Sequence, residues 1–183
     1  MTVNTTWTSP SSSPPDLSTG DVISETAWDY ILSNLNFLGG ASGVYGCHVY
    51  HDANQSLTTA TETTVAYNQE LFDTDTMHDP ASNNSRITFT TAGKYFVGAN
   101  MSFDGHATGY RYVNLRTGGS AIVGSITAIS AGAGQGTNMN ICIYISVTAA
   151  AYIECRAYQN SGGALNVVTG TQYSPEFYAF KHG

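Results

Sequence analysis

The chain has 183 residues, of which 42% are apolar and 10% are charged. This length suits one domain with a short appendage, and the apolar share argues against a generally disordered chain. Acidic residues outnumber basic residues by 13 to 6, so nucleic acid is not expected as a partner. The first 85 residues contain ten acidic side chains and no Lys or Arg. A partner that contacts the start of this region is therefore expected to be neutral or basic.

Targeting signals and cysteines restrict the compartment. No stretch of 18 apolar residues occurs, so the sequence predicts no membrane span and no membrane partner. Residues 1–20 contain neither a basic n-region nor an apolar h-region, so no secretory signal peptide is expected. The three cysteines, Cys47, Cys142 and Cys155, lack the spacing of a zinc site. We expect buried free thiols, with a Cys142–Cys155 disulfide as the alternative.

Residues 1–23 are rich in Thr, Ser and Pro and are predicted to form an extended arm. Trp7 is the exception in this polar segment. Because an indole ring is costly to leave in water, we expect Trp7 to be buried against another surface.

Residues 24–40 are predicted to form one short amphipathic helix. Ser24 is a suitable N-cap, and Gly39 and Gly40 provide a stop signal. Five apolar residues recur with helical spacing on one face: Trp28, Ile31, Leu32, Leu35 and Leu38. A helix of about 14 residues is marginal alone in water, so this face needs a partner. The partner is either the chain's own domain, or a three-helix contact or another protein.

Residues 41–183 are predicted to form an all-β head domain. Ten short runs have strand character and are separated by turns rich in Gly, Asn, Ser and Asp. They are residues 44–50, 63–67, 86–90, 94–103, 110–117, 121–129, 138–147, 152–159, 164–169 and 177–181. This pattern predicts a ten-stranded sandwich or jelly roll. In the run 138–147, Ile141 and Ile143 alternate with Cys142 and Tyr144, so the second face suits a subunit contact.

The densest polar cluster is the acidic segment with Asp73, Asp75 and Asp79. Carboxylates can bind Ca²⁺, but the EF-hand pattern is absent, and we favour a solvated or capping loop. No nucleophile, Walker or zinc-protease motif occurs in the sequence. We therefore expect no catalytic residue, no cofactor and no enzymatic activity.

Four segments resemble a known family. The sequence from Thr91 to Val97, TAGKYFV, resembles the glycine–aromatic strand of the complement component one-q globular head, a branch of the tumour-necrosis-factor-like jelly rolls. Residues 72–89, 112–119 and 177–180 resemble three further segments of that family, with Ala179 in place of the usual Gly. Together these segments cover roughly residues 44–183. The resemblance implies a ten-stranded jelly roll that forms a compact homotrimer with an aromatic-rich interface. The candidate interface residues are Tyr95, Tyr144, Phe177 and Phe180.

The N-terminal pattern is similar to the starts of small virion proteins of tailed bacteriophages, in which a short anchor holds a jelly-roll head to the particle. It implies a structural virion protein, made in the host cytoplasm, that acts as a capsid decoration, head fibre or tail component. Another virion protein would be contacted through Trp7, Trp28, Ile31, Leu32, Leu35 and Leu38. The alternative is a trimeric receptor-binding or tail-fibre tip that recognises a host-surface glycan or protein. The lack of a long shaft before the head favours the first of these.

Overall fold

The computed structural model describes residues 45–182 together with Trp28, Asp29, Ile31, Leu32 and Leu35. The chain divides into two compact units, Met1–Val44 and Tyr45–Gly183. The five described residues of the first unit are helical and lie within the predicted helix 24–40. The predicted arm with Trp7, as well as Leu38, lies outside the described residues. No helix in the described part of the chain is long and apolar enough to cross a membrane.

The second unit is built from strands. Residues 45–182 contain twelve of them, and the pairings between them are antiparallel. They are β1 (Gly46–Tyr50), β2 (Gln55–Leu57), β3 (Thr63–Thr64), β4 (Gln69–Asp73), β5 (Arg86–Thr88), β6 (Gly93–Phe103), β7 (Tyr110–Thr117), β8 (Ser120–Ser130), β9 (Thr137–Val147), β10 (Tyr152–Gln159), β11 (Leu165–Val168) and β12 (Glu176–His182).

These strands form two sheets. The seven-stranded sheet has the order β2-β11-β6-β12-β1-β4, and β9 also pairs with β6. The five-stranded sheet has the order β3-β10-β7-β8, and β5 also pairs with β10. Strand β6 is central to the larger sheet because it pairs with β9 along its whole length and with β12 and β11 on its other edge. The prediction of an all-β sandwich is confirmed.

The predicted number of ten strands is wrong, because β2 and β4 were not predicted. Strand β2 has only three residues, two of them polar, so it carries no recognisable alternation. In β4, the apolar residues Leu71 and Phe72 are adjacent and both exposed, so apolar and polar residues do not alternate along this strand. A register shift opposite β4, between His48 and Val49, further disrupts its pattern.

The core lies between the two sheets and is formed by alternate residues of facing strands. Phe89 packs against Tyr95 with ring centroids 4.6 Å apart, and Tyr67 stacks on Phe177 at 5.3 Å. All four rings are fully buried. Each such ring contributes roughly 1.5–3 kcal/mol by leaving water. The alternation that buries these rings sends the intervening side chains to the opposite face of each sheet.

Candidate functional site on the outer face of the seven-stranded sheet

Aromatic side chains cover half of the outer face of the seven-stranded sheet, the face that points away from the core. We call this surface the aromatic half; its residues are His48, Phe72, Phe96, Tyr144, Tyr178, Phe180 and His182. They come from five neighbouring strands, whose register aligns them in rows across the sheet.

Phe96 lies at the centre of the first of two ring clusters. Its centroid is 4.7 Å from that of Tyr144, directly opposite on β9. His182 meets both rings edge-on, with centroid distances of 5.8 and 5.7 Å. Phe96 remains 45% exposed and Tyr144 46% exposed. Exposed aromatic surface of this kind is typical of contacts with other proteins.

The second cluster continues the surface towards β4. The ring of His48 lies between Phe72 and Tyr178, at centroid distances of 6.0 and 5.6 Å. Tyr178 in turn lies 5.7 Å from Phe180. The Tyr178 ring is seated on Gly98, where a Cβ atom would come within 2.5 Å of Tyr178 Cζ. Burial, followed by the neighbouring Cys142 thiol, raises the pKa of Tyr178 above its usual value.

The other half of the same face is polar. Beyond Gly98 the outward residues of β6 are Asn100 and Ser102, and opposite them β9 presents Asn140 and Asn138. Glu176 of β12 is the neighbour of Asn100 on its other side. The outer face therefore changes from aromatic to polar along the length of a single strand, β6.

The four predicted interface residues divide between the two sides of the sheet. Tyr144 belongs to the aromatic half, and Phe180 lies there as a half-buried residue. Tyr95 and Phe177 are 0% exposed and pack inside the core. Their assignment to a subunit interface is corrected, because a fully buried ring has no surface to offer a second chain. The outward aromatic residues beside them are Phe96 and Tyr178.

A second apolar surface lies on β8, at one end of the strand order of the five-stranded sheet. Val123 is 99% exposed. Ile126, opposite Asn114, is exposed on the outer face of this sheet, and Ile129, opposite the buried Arg111, is exposed on its other face. A register shift in the pairing of β7 with β8 accompanies Gly124, whose φ is +74°. The bulge buries Ser125, whose hydroxyl lies 2.8 Å from the Leu115 carbonyl oxygen. An edge strand with several exposed apolar side chains is a typical site of association with another chain.

The outer face of the five-stranded sheet carries a charged network around Glu62. The Glu62 carboxylate accepts hydrogen bonds from Asn114 Nδ2 at 2.6 Å and Tyr112 Oη at 3.1 Å. It also pairs with Arg116 at 2.9 Å and with Arg156 at 3.3 Å. Burial alone would raise the pKa of Glu62, but hydrogen bonds from Asn114, Arg116 and Tyr112 outweigh it and lower the pKa. This network holds β3, β7 and β10 together on their solvent side.

The acidic segment is a hydrogen-bonded loop. Asp73 accepts hydrogen bonds from the backbone N–H groups of Asp75 and His78, at 3.1 and 2.8 Å. Asp79 accepts from the backbone N–H groups of Ala81 and Ser82. Asp75 accepts from the Thr90 and Thr91 hydroxyls. The carboxylates thus act as caps for the loop. Within the described ranges no cluster of three or more His, Cys, Asp or Glu side chains is placed to hold a metal ion.

The three cysteines are free thiols. Cys47 and Cys155 are buried, and burial raises the pKa of Cys155 to about 12. Cys142 is exposed on the outer face of the seven-stranded sheet, so the expectation that all three are buried fails there. Cys142 and Cys155 belong to different sheets, and the alternative of a disulfide between them is wrong.

The sequence patterns predicted no functional role for Phe96, Tyr178 or the Glu62 network. Phe96 and Tyr178 could have been found from alternation, since each directly follows a residue that is now seen to be core. No local sequence pattern predicts the Glu62 network, because Glu62 binds side chains that are more than fifty positions away in the sequence.

Comparison with known proteins identifies the fold. No protein-family model matches the chain, and no curated protein matches it. Many solved structures are similar to this chain, and three of them each match 76% of it. The Eiger tumour necrosis factor of S. frugiperda is 11% identical with a TM-score of 0.52, over 93% of its own length. The globular domain of zebrafish complement 1qA protein is 12% identical with a TM-score of 0.56, over 98%. Murine APRIL is 10% identical with a TM-score of 0.57, over 99%. The described domain has a jelly-roll fold like that of the tumour necrosis factor and complement 1q domains.

Proposed function

We propose that this chain is a homotrimeric structural protein of a tailed-bacteriophage particle, in which the jelly roll forms the head and the N-terminal segment attaches it to another virion protein. The observation that supports the homotrimer is that one chain has two separate groups of exposed apolar residues, the aromatic half and the exposed residues of β8. A closed ring with threefold symmetry needs two different, complementary surfaces on every subunit, whereas a twofold dimer needs only one.

The pairing of these two surfaces can be tested by mixing variants. Phe96→Asp damages the aromatic half and Ile126→Asp damages the β8 surface. The unchanged chain should sediment as a trimer of about 58 kDa, three times the 19.4 kDa monomer. Each variant alone should be monomeric, because a desolvated charge in an apolar contact is costly. An equal mixture should give a dimer of about 39 kDa, since one intact pair of surfaces remains.

The matched control is Tyr110→Asp. Tyr110 is also an exposed aromatic residue, but it belongs to β7 of the five-stranded sheet and contacts Tyr158, so it lies outside the aromatic half and serves as the control for Phe96→Asp. This variant should remain trimeric. A monomeric mass for the unchanged chain at micromolar concentration contradicts the trimer, and a mixture that stays monomeric contradicts the pairing of the two surfaces.

Attachment is proposed to use the apolar face of the segment 24–40. Trp28, Ile31, Leu32 and Leu35 are helical and exposed, a combination that a short helix sustains only with a partner. The double variant Trp28→Ser, Leu35→Ser should keep the mass and melting temperature of the trimer but no longer co-sediment with particles. Removal of residues 1–40 should have the same effect. A truncated head that aggregates or becomes monomeric would assign the segment to the trimer itself.

The number of copies per particle separates the structural role from a receptor-binding tip. A decoration protein or head fibre is expected in many copies, and a tip in only a few trimers. Quantitative mass spectrometry of purified particles, calibrated on the major capsid protein, gives this number directly. A few trimers per particle would favour the receptor-binding alternative. Absence of the chain from particles would contradict both roles.

A further inference from the structure

A groove crosses the polar half of the seven-stranded sheet. It consists of two adjoining cavities of about 410 and 240 Å³ that share Ser102, Asn138 and Tyr173. We call the combined space the polar groove. Its volume is within the range of small-molecule sites in proteins.

The floor of the polar groove presents a row of amides and one carboxylate. Glu176, Asn100 and Asn140 lie side by side on β12, β6 and β9. Asn100 Nδ2 donates to Glu176 Oε2 at 3.3 Å, which fixes both side chains. The buried Ser102 hydroxyl donates to Asn138 Oδ1 at 2.7 Å, and this bond orients the Asn138 amide. The Asn138 amide N–H groups and the whole Asn140 amide have no hydrogen-bond partner among the described residues and are available to a ligand.

One wall of the groove is a tight turn that carries Tyr173. The backbone N–H of Tyr173 donates to the Gly170 carbonyl at 3.1 Å, and the Ser174 hydroxyl donates to the same carbonyl at 2.9 Å. The Tyr173 ring is seated on Gly170, where a Cβ atom would come within 2.6 Å of Tyr173 Cε2. Tyr173 is 50% exposed, so the turn holds an aromatic ring above a polar floor. A wall fixed in this way costs little conformational entropy when a ligand binds.

The charges of the groove restrict its ligand. Asp104 lines one cavity and Glu176 the other, and none of the described lining residues is Lys, Arg or His. Phosphate, sulfate and carboxylate groups are therefore disfavoured. An extended apolar ligand is disfavoured as well, because the floor offers amides that would lose their hydrogen bonds with water. The ligand that satisfies both restrictions is neutral and has many hydroxyl groups. It also has one apolar face that can pack on an aromatic ring.

We propose that the polar groove binds a neutral carbohydrate, with one pyranose ring packed against Tyr173 and its hydroxyl groups bonded to Asn138, Asn140 and Glu176. Sugar hydroxyls both donate and accept, which matches the alternating amide and carboxylate groups of the floor. The inference goes beyond the structural role proposed above and does not depend on attachment to a particle. A second copy of the chain is the competing occupant, because the groove adjoins the aromatic half.

The test is saturation-transfer NMR on the full chain, with maltotriose, cellotriose, chitotriose and mannotriose at millimolar concentration and sialyllactose as the anionic probe. At least one neutral trisaccharide should bind, and sialyllactose should bind more weakly. Tyr173→Ala should weaken binding roughly tenfold, whereas Tyr110→Ala, the matched tyrosine on the other sheet, should change it less than about twofold. Gly170→Ala should also weaken binding, because it displaces the Tyr173 ring without removing it. Unchanged melting temperatures show that each variant is folded.

Any of the following results would overturn the proposal. The first is that none of the neutral trisaccharides binds. The second is equal binding by the unchanged chain and Tyr173→Ala, or tighter binding of sialyllactose. The third comes from Asn140→Arg, which places a charge on the floor of the groove. Conversion of the assembly to monomers by this variant, measured by sedimentation, would assign the groove to a subunit contact. Because mass and sugar binding are measured on the same samples, failure of the trimer and failure of the sugar site are distinguishable.

Discussion

The Tyr144 hydroxyl oxygen lies 2.9 Å from Nδ1 of His182, and this contact joins β9 to β12 across the intervening strand β6. Phe96 of β6 packs against both rings. The three side chains thus form one continuous surface from strands that are far apart in the sequence. Such a surface is rigid because each ring is held by its neighbours, and a rigid aromatic surface loses little entropy in a subunit contact.

The core position of Phe177 and the outward position of Phe180 predict different effects of the same truncation. Phe177→Ala should lower the free energy of unfolding by about 3–5 kcal/mol, because it opens a cavity beside Tyr67. Phe180→Ala should cost less than about 1.5 kcal/mol within the subunit, since its ring is only half-buried. Urea unfolding of both variants measures the difference. Equal losses would contradict the two assignments.

Gly98 is predicted to tolerate no side chain. A Cβ atom at this position would lie 2.8 Å from the Ile141 carbonyl oxygen, which is backbone of the paired strand and cannot rotate away. Gly98→Ala should therefore destabilise the domain by about 1–3 kcal/mol and displace Tyr178. Gly132→Ala is the control, because a Cβ atom at Gly132 would have no neighbouring atom within 4 Å. Guanidinium unfolding compares the two, and a neutral Gly98→Ala would show that β6 and β9 can separate at this point.

Glu62 should make the stability of the domain depend on pH in the acid range. Its folded-state pKa is lower than its unfolded value of about 4.5, so the ionised network stabilises the fold fully above that value. The stabilisation is lost as the pH falls from there through the folded-state pKa. At neutral pH, Glu62→Gln should cost about 1–3 kcal/mol, because Arg116 and Arg156 lose their shared counter-charge. The difference from the unchanged chain should shrink in acid.

Thermal melts between neutral and acidic pH measure this dependence. Glu176→Gln is the control, since the Glu176 side chain is 37% exposed and its substitution should cost less than about 1 kcal/mol. A Glu62→Gln variant that melts in parallel with the unchanged chain at every pH would show that the network contributes no linked stability.

Calcium should have little effect on the acidic loop. The carboxylates of Asp73 and Asp79 already accept hydrogen bonds from backbone N–H groups of the loop, which a bound cation would displace. We expect EDTA and added CaCl₂ to leave the melting temperature within about 1 °C, with MgCl₂ as the ionic-strength control. If EDTA lowered the melting temperature by many degrees and calcium restored it, Asp73, Asp75 and Asp79 would be calcium ligands.

The sequence predicted the class of fold because strands such as β9 and β10 alternate clearly. In β9, every second residue from Thr137 to Ile141 is buried, as the pattern requires. Strand β4 escaped prediction because its exposed Leu71 and Phe72 do not alternate. Tyr95 and Phe177 were assigned to the wrong face of the sheet, because the sequence does not show whether an aromatic residue of a strand points to the core or to the outside. Only the position of a strand relative to the core decides whether its odd or its even residues point outward.

The polar groove could not have been predicted from local patterns. Its floor combines β6, β9 and β12, and Tyr173 reaches it from the turn before β12. Asn100, Asn138 and Asn140 are ordinary polar strand residues in the sequence. Their significance comes from the register of β6 with β9, which no short segment encodes.

The change from aromatic to polar along β6 has a consequence for how tightly the proposed assembly would bind a surface that carries many copies of a sugar. Phe96 and Asn100 are four residues apart on one strand, a separation of about 13 Å. A threefold axis beside the aromatic half would therefore hold three grooves in fixed positions at one end of the particle-bound head. Sites that are individually weak gain avidity when a repetitive surface can engage all of them at once. The three grooves could then bind at the same time because the rigid strand β6 fixes their positions, and no flexible linker would be needed.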